Sequence, residues 1–113
     1  MQPFNDMFLL CFYVPATHLE TVKAAVFAAG AGRYGNYDQC CWQVLGEGQF
    51  RPLANSQAFV GELNQLNHLA EYKVEMLCQA ALVKPVIHAL LTTHPYQQPA
   101  YHLLAMVDPE LIV

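Results

Sequence analysis

The sequence predicts an α+β fold, a ferredoxin-like split βαβ in which an antiparallel sheet carries two helices on one face, plus a short extra β-ribbon. Three observations point there. A continuous apolar run occupies residues 7–14; two stretches of helical spacing each lie between strand patterns; and residues 71–78 alternate cleanly between apolar and polar. The resulting order, β-α-β-(short β)-β-α-β in 113 residues, closes most economically as that single domain, taken as residues 1–113.

The first strand is Met7, Phe8, Leu9, Leu10, Cys11, Phe12, Tyr13 and Val14, ended by Pro15. With no polar residue on either side of the alternation, it reads as a central strand buried on both faces. Thr17 followed by Glu20 fits a capping box, and Leu19, Val22, Val26 and Ala29 recur at helical spacing until Gly30 supplies the stop. Residues 30–37 form a glycine-rich loop. Residues 38–45 then alternate Cys40, Trp42 and Val44 against Cys41, Gln43 and Leu45 as a second strand. Gly46, Glu47 and Gly48 suggest a hairpin turn into residues 49–53, with Pro52 marking an edge ribbon.

Residues 54–70 are polar and weakly patterned, an ordered excursion with room for a helical turn, tacked down by Phe59, Val60, Leu63, Leu66 and Leu69. In the third main strand Tyr72, Val74, Met76 and Cys78 face inward. Val83, Val86, Ile87, Leu90 and Leu91 trace a second helix over residues 82–93, in which Pro85 is tolerated only within the first turn. Two prolines stiffen residues 94–99, and residues 101–107 form a last strand, apolar on both sides and closed by Pro109.

Composition narrows the function. Hydrophobic residues are 55% of the chain and charged residues 12%, which excludes disorder and leaves a surface poor in charge. The helices can cover only one sheet face, yet the first and last strands are apolar on both, so the other face is expected to pack against further copies in a homo-oligomer. The net charge is −4, and Lys23, Arg33, Arg51, Lys73 and Lys84 are scattered singly. No basic stripe exists for nucleic acid or anionic lipid. The longest apolar run has eight residues and no leader-like succession opens the chain, so neither a membrane span nor a signal peptide is expected and the cytoplasm is the expected compartment.

Motifs that carry chemistry are sparse. Cys11, Cys40, Cys41 and Cys78 form no C-x-x-C pair, and His18, His68, His88, His94 and His102 show no paired-ligand spacing. A metal site would have to be assembled from distant segments or neighbouring chains, with His94, His102 and Cys40 as its candidates. Gly30, Gly32 and Gly35 follow a helix and precede a strand, the reverse of a phosphate-binding loop, so a connecting loop is expected. Arg33 and Tyr37 on it could still grip an anion or a neighbouring chain. The stretch from His94 through Pro95, Tyr96, Gln97, Gln98 and Pro99 to Tyr101 presets where His94, Tyr96 and Tyr101 point, which serves binding or a structural turn. The topology puts the glycine and proline loops at opposite ends of the sheet, so a site using both needs a second subunit. No nucleophile, base and orienter are clustered locally.

Residues 30–37, Cys40, residues 46–53 and residues 94–101 together resemble, in order, the YqfO-type insert of bacterial Nif-three-like proteins. The resemblance implies a fold similar to CutA and PII signalling proteins and a trimer with clefts between subunits. Full-length family members surround the insert with segments bearing a dimetal site of His, Asp and Glu, which have no counterpart in these residues, so the family's hydrolase or cyclohydrolase activity is not expected here. Gln97, Gln98 and His102 stand where the family usually shows acids.

The expectation is therefore an oligomeric binding or regulatory module without a cofactor, its ligand cleft drawing on Arg33, Tyr37, His94, Tyr96 and Tyr101. A metal-binding protein and an enzyme of unknown reaction are the alternatives.

Overall fold

The computed structural model describes residues 6–57 and 60–112. Strand β1 (Met7–Pro15) lies inside a four-stranded antiparallel sheet with β2 (Trp42–Phe50), β3 (Asn67–Gln79) and β4 (Tyr101–Ala105), in the order β2-β3-β1-β4. Helices α1 (Leu19–Ala28) and α2 (Val83–Thr93) connect β1 to β2 and β3 to β4. This is the split βαβ arrangement the sequence predicts.

Alternation along β1 divides the sheet. Leu10, Phe12 and Val14 point to the helix side, where they meet Val74, Met76 and Cys78 of β3, Leu19, Val22 and Val26 of α1, and Val86 and Leu90 of α2. All of these are buried. At about 25 cal/mol for each Å² of apolar surface removed from water, this one layer supplies most of the driving force for folding. The opposite, helix-free face is made by Leu9, Cys11 and Tyr13 of β1 and their register partners Leu77, Glu75 and Lys73 of β3, flanked by Trp42 and Val44 of β2 and His102 and Leu104 of β4. Here Trp42, Val44 and Leu104 remain 69%, 50% and 55% exposed.

Local expectations fare unevenly. Gly30, at φ +115°, closes α1 as expected, its N–H donating to Phe27 O. The capping box is not made: a 3₁₀ turn, Ala16–His18, precedes α1, no side chain caps the helix, and Thr17 Oγ1 bonds His18 Nδ1 instead. Pro85 falls in the first turn of α2, where a missing N–H costs nothing.

The hairpin expected at Gly46–Gly48 is a correction. β2 runs straight through those residues, because their backbones pair with Glu71, Ala70 and Leu69 of β3. A turn there would abandon that ladder. The extra ribbon exists in another form: β1 ends at Pro15 opposite Glu71, while β2 and β3 stay paired out to Phe50 and Asn67, so their far halves project as a two-stranded arm. Overall dimensions of 49 × 32 × 24 Å reflect that arm. Residues 60–66 loop back from its tip without a helical turn, and Phe59 lies outside the described residues.

Candidate functional site

The site begins where β4 ends. The β1–β4 ladder stops at the Phe12–Tyr101 pair, which leaves the N–H and C=O of Tyr13 facing the strand's missing continuation. The proline loop takes over. Tyr13 N–H donates to Ala100 O at 3.2 Å, and His94 Nε2 lies 2.6 Å from Tyr13 O. His94 is the residue after α2, held extended (φ −72°, ψ 137°) by the following Pro95. Its Nδ1 accepts the Tyr96 N–H at 3.1 Å, so the ring proton sits on Nε2 and donates to Tyr13 O. At 7% exposure, burial holds the imidazole's pKa below its ordinary value, against the opposing pull of the Tyr13 carbonyl and Glu71. His94 is thus a neutral structural brace.

The brace positions Tyr96. The two rings lie 4.8 Å apart, and the Tyr96 hydroxyl donates to Glu71 Oε2 at 2.7 Å. Burial and the adjacent carboxylate both push the phenol's pKa well up, keeping it a donor. Glu71 reaches this position across Gly48 of β2, where any Cβ would overlap its carboxyl group. The glycine read as a turn residue instead leaves room within a strand for the Glu71 carboxyl group.

These contacts border an open-mouthed cavity of about 320 Å³. Tyr13, Phe50 and Glu71 form its base, Pro52, Ser56 and Val60 one wall, and Tyr96, Gln97, Gln98 and Ala100 the other. The walls are tied together by the Gln57 N–H, which donates to Gln97 Oε1 at 2.9 Å. The volume suits a small ligand, and the lining is mainly apolar with a few convergent polar groups.

No protein-family model matches the sequence. The chain is 41% identical over 97 residues to a GTP cyclohydrolase 1 type 2 homolog of Mycobacterium leprae, covering 86% of the chain and 25% of that protein. It is 37% identical over 94 residues to the protein of that name in Bacillus subtilis, covering 83% of the chain and 25% of the relative. A Bacillus cereus protein related to NIF3 superposes with TM-score 0.77 at 34% identity, over 90% of this chain and 26% of that one. The chain is a homologue of NIF3-related proteins. It spans about a quarter of the length of the curated relatives it matches. CutA from Xylella fastidiosa shares the fold over 95% of the chain and 91% of its own length, with TM-score 0.63 and 18% identity.

The structure of this NIF3-related chain distributes the sequence-predicted residues over both ends of the sheet. Tyr96 lines the cavity and His94 stands behind it. Tyr101 does not join them: its register with Phe12 turns it to the helix side, where it packs on the core. Arg33 lies at the far end, in a shallower hollow of about 360 Å³ with Leu9, Leu77, Cys40 and Trp42. Tyr37 pairs with Tyr34 through two backbone hydrogen bonds of 2.9 and 3.0 Å and projects from the glycine loop, 75% exposed. That loop is anchored by Gly32, whose N–H donates to Leu77 O and whose carbonyl accepts from Cys40 N–H, as a connector requires.

The metal candidates are not brought together. His94 has both ring nitrogens committed, His102 lies edge-on to Tyr13 with ring centroids 5.9 Å apart, and the Cys40 thiol contacts Asp38 O near the start of β2. Among the described residues no group of three or more His, Cys, Asp or Glu side chains is placed to hold a metal ion. His94 has no lone pair to offer a neighbouring chain either. This donor set does not fit a metal within the protomer.

Sequence reasoning missed Tyr13, Phe50 and Glu71. Tyr13 was hidden in an unbroken apolar run and Phe50 in a supposed ribbon. Glu71 alternates with Lys73 and Glu75 along β3 and differs from them only because the proline loop folds onto it.

Proposed function

We propose that residues 1–113 form a small cytoplasmic homo-oligomer, a trimer, that acts as a binding or regulatory module, and that its ligand site is the cavity beside the proline loop. The observation that carries this reading is the cavity itself. It is walled by two segments with no other evident task, and its wall residue Tyr96 is fixed by the His94 brace and Glu71. Such preorganisation lowers the ordering cost of binding.

Oligomerisation is supported by Trp42, Val44 and Leu104, three large apolar side chains left exposed on the one helix-free face, the kind of surface that marks an interaction site. The glycine loop with Arg33 and Tyr37 and the proline loop lie at opposite ends of the sheet, so packing of copies across that face can set one against the other and extend the cavity into an intersubunit cleft. No helix among the described residues is long and apolar enough to cross a membrane. The cyclohydrolase name belongs to relatives of which this chain matches about a quarter, and the proposal does not include that activity.

Native mass spectrometry of gently purified protein tests the reading. A trimer retaining a small molecule supports it. A bare monomer overturns it.

A further inference from the structure

The cavity's charge is as informative as its shape. Among the described residues lining it, Glu71 is the one acid, and no lysine, arginine or histidine contributes. The wall positions Gln97 and Gln98 are neutral amides. Lys73 shares the helix-free face of β3 but sits one alternation further along and does not line the space. A ligand's negative group would therefore give up part of its hydration in a largely apolar cleft with one carboxylate already in it and no counter-charge among the described lining residues, which is unfavourable.

The carboxylate is also fixed in place. Glu71 Oε2 accepts from the Tyr96 hydroxyl, and the side chain is held across Gly48. A carboxylate oxygen has more than one lone pair, so this single bond leaves acceptor capacity at the base of the cavity. Phe50, Pro52 and Val60 offer apolar contact around it.

From this geometry we infer that the cavity selects a small, flat, apolar molecule bearing one cationic or amidine-like nitrogen group, held by Glu71, and rejects carboxylates and phosphates of the same size. The inference rests on the cavity's being the ligand site. A planar N–H fork meeting a carboxylate gives a charge-assisted pair with defined geometry, while the ring packs against Phe50. The proposal names a ligand charge that neither the fold nor the relatives' names supply.

The test uses the full chain and two probes of matched size and opposite charge, benzamidine and benzoate, titrated by ligand-observed NMR and calorimetry. Benzamidine is expected to bind in the millimolar range appropriate to a fragment, and benzoate not to bind at the same concentrations. Glu71→Gln keeps an acceptor for the Tyr96 hydroxyl but removes the charge, and is expected to weaken benzamidine by about tenfold, the loss typical of one charge-assisted hydrogen bond. Phe50→Ala is expected to weaken benzamidine as well, which places the probe in this cavity. Benzoate binding as tightly as benzamidine and lost in Phe50→Ala, or benzamidine binding that is indifferent to Glu71→Gln, would overturn the charge selection and leave the cavity as a binding site. Failure of both probes would overturn the cavity reading along with it.

Discussion

His94→Ala removes the residue that continues the sheet where β4 stops. The substitution leaves the Tyr13 carbonyl without its 2.6 Å donor and the Tyr96 N–H without its 3.1 Å acceptor, both in a part-buried setting. Each orphaned group costs about 1 to 2 kcal/mol, so the variant is expected to lose about 2 to 4 kcal/mol. For a chain of this length that corresponds to a fall in Tm of roughly 10 °C, measured at one fixed protein concentration because an oligomer's Tm depends on it. The pH dependence gives an independent reading. Burial lowers the folded-state pKa of His94 beneath its unfolded value, so the neutral ring stabilises the fold fully above about pH 6.5, and that contribution is lost as pH falls through the folded pKa. His94→Ala has nothing there to lose. The gap in Tm between parent and variant should accordingly narrow between about pH 7 and pH 5. Differential scanning calorimetry across that range decides it: a variant within about 2 °C of the parent at pH 7, or a gap that widens on acidification, would refute the brace.

Two further substitutions probe the surroundings. Gly48→Ala places a methyl group where the Glu71 carboxyl lies, so it should break the Tyr96–Glu71 hydrogen bond at a cost of about 1.5 to 3 kcal/mol and let the Tyr96 phenol titrate at lower pH in an absorbance titration. An unchanged phenol titration would show that Glu71 does not depend on the glycine. Val44→Asp with Leu104→Asp puts charge on the helix-free face without touching the core layer, and should shift sedimentation velocity toward monomer while helix content by circular dichroism stays the same. Persistence of the parent's sedimentation coefficient would move the interface elsewhere.

The core layer was legible in the sequence because one rule, alternation or helical spacing, governs each of its elements. Leu10, Phe12 and Val14 face Val74, Met76 and Cys78 as the period of two requires, and Val22, Val26, Val86 and Leu90 cover them as the helical period requires. The errors fall where a local signal competes with a long-range one. Gly46 and Gly48 look like turn residues until β3 supplies a ladder partner for each, and Thr17 and Glu20 look like a cap until a 3₁₀ turn takes up Thr17 and leaves Glu20 inside α1, bonded to Lys23. The site was half legible for the same reason. Prolines announce a rigid loop around His94 and Tyr96, but Tyr101 follows the parity of β4 to the core side, and the register that selects Glu71 from Glu71, Lys73 and Glu75 is set by contacts tens of residues away.

The cavity lies beyond the reach of the core that folds the chain. The buried layer ends near Val14 and Val74, and past that line only the β2–β3 arm continues. What holds the walls there is largely polar: the Tyr13–Ala100 and Tyr13–His94 bonds, the Tyr96–Glu71 bond, and the Gln57–Gln97 bond. Individually such bonds contribute about 1 kcal/mol, so the walls open at lower free energy than the sheet beneath them. An apolar ligand seated on Phe50 and Val60 supplies the burial this end lacks, and its binding must therefore raise the protection of the walls more than that of the core. Hydrogen exchange of the Gln57 and Tyr96 amides, both donors in wall contacts, reads that coupling directly, with the Val74 and Leu90 amides as the unmoved reference.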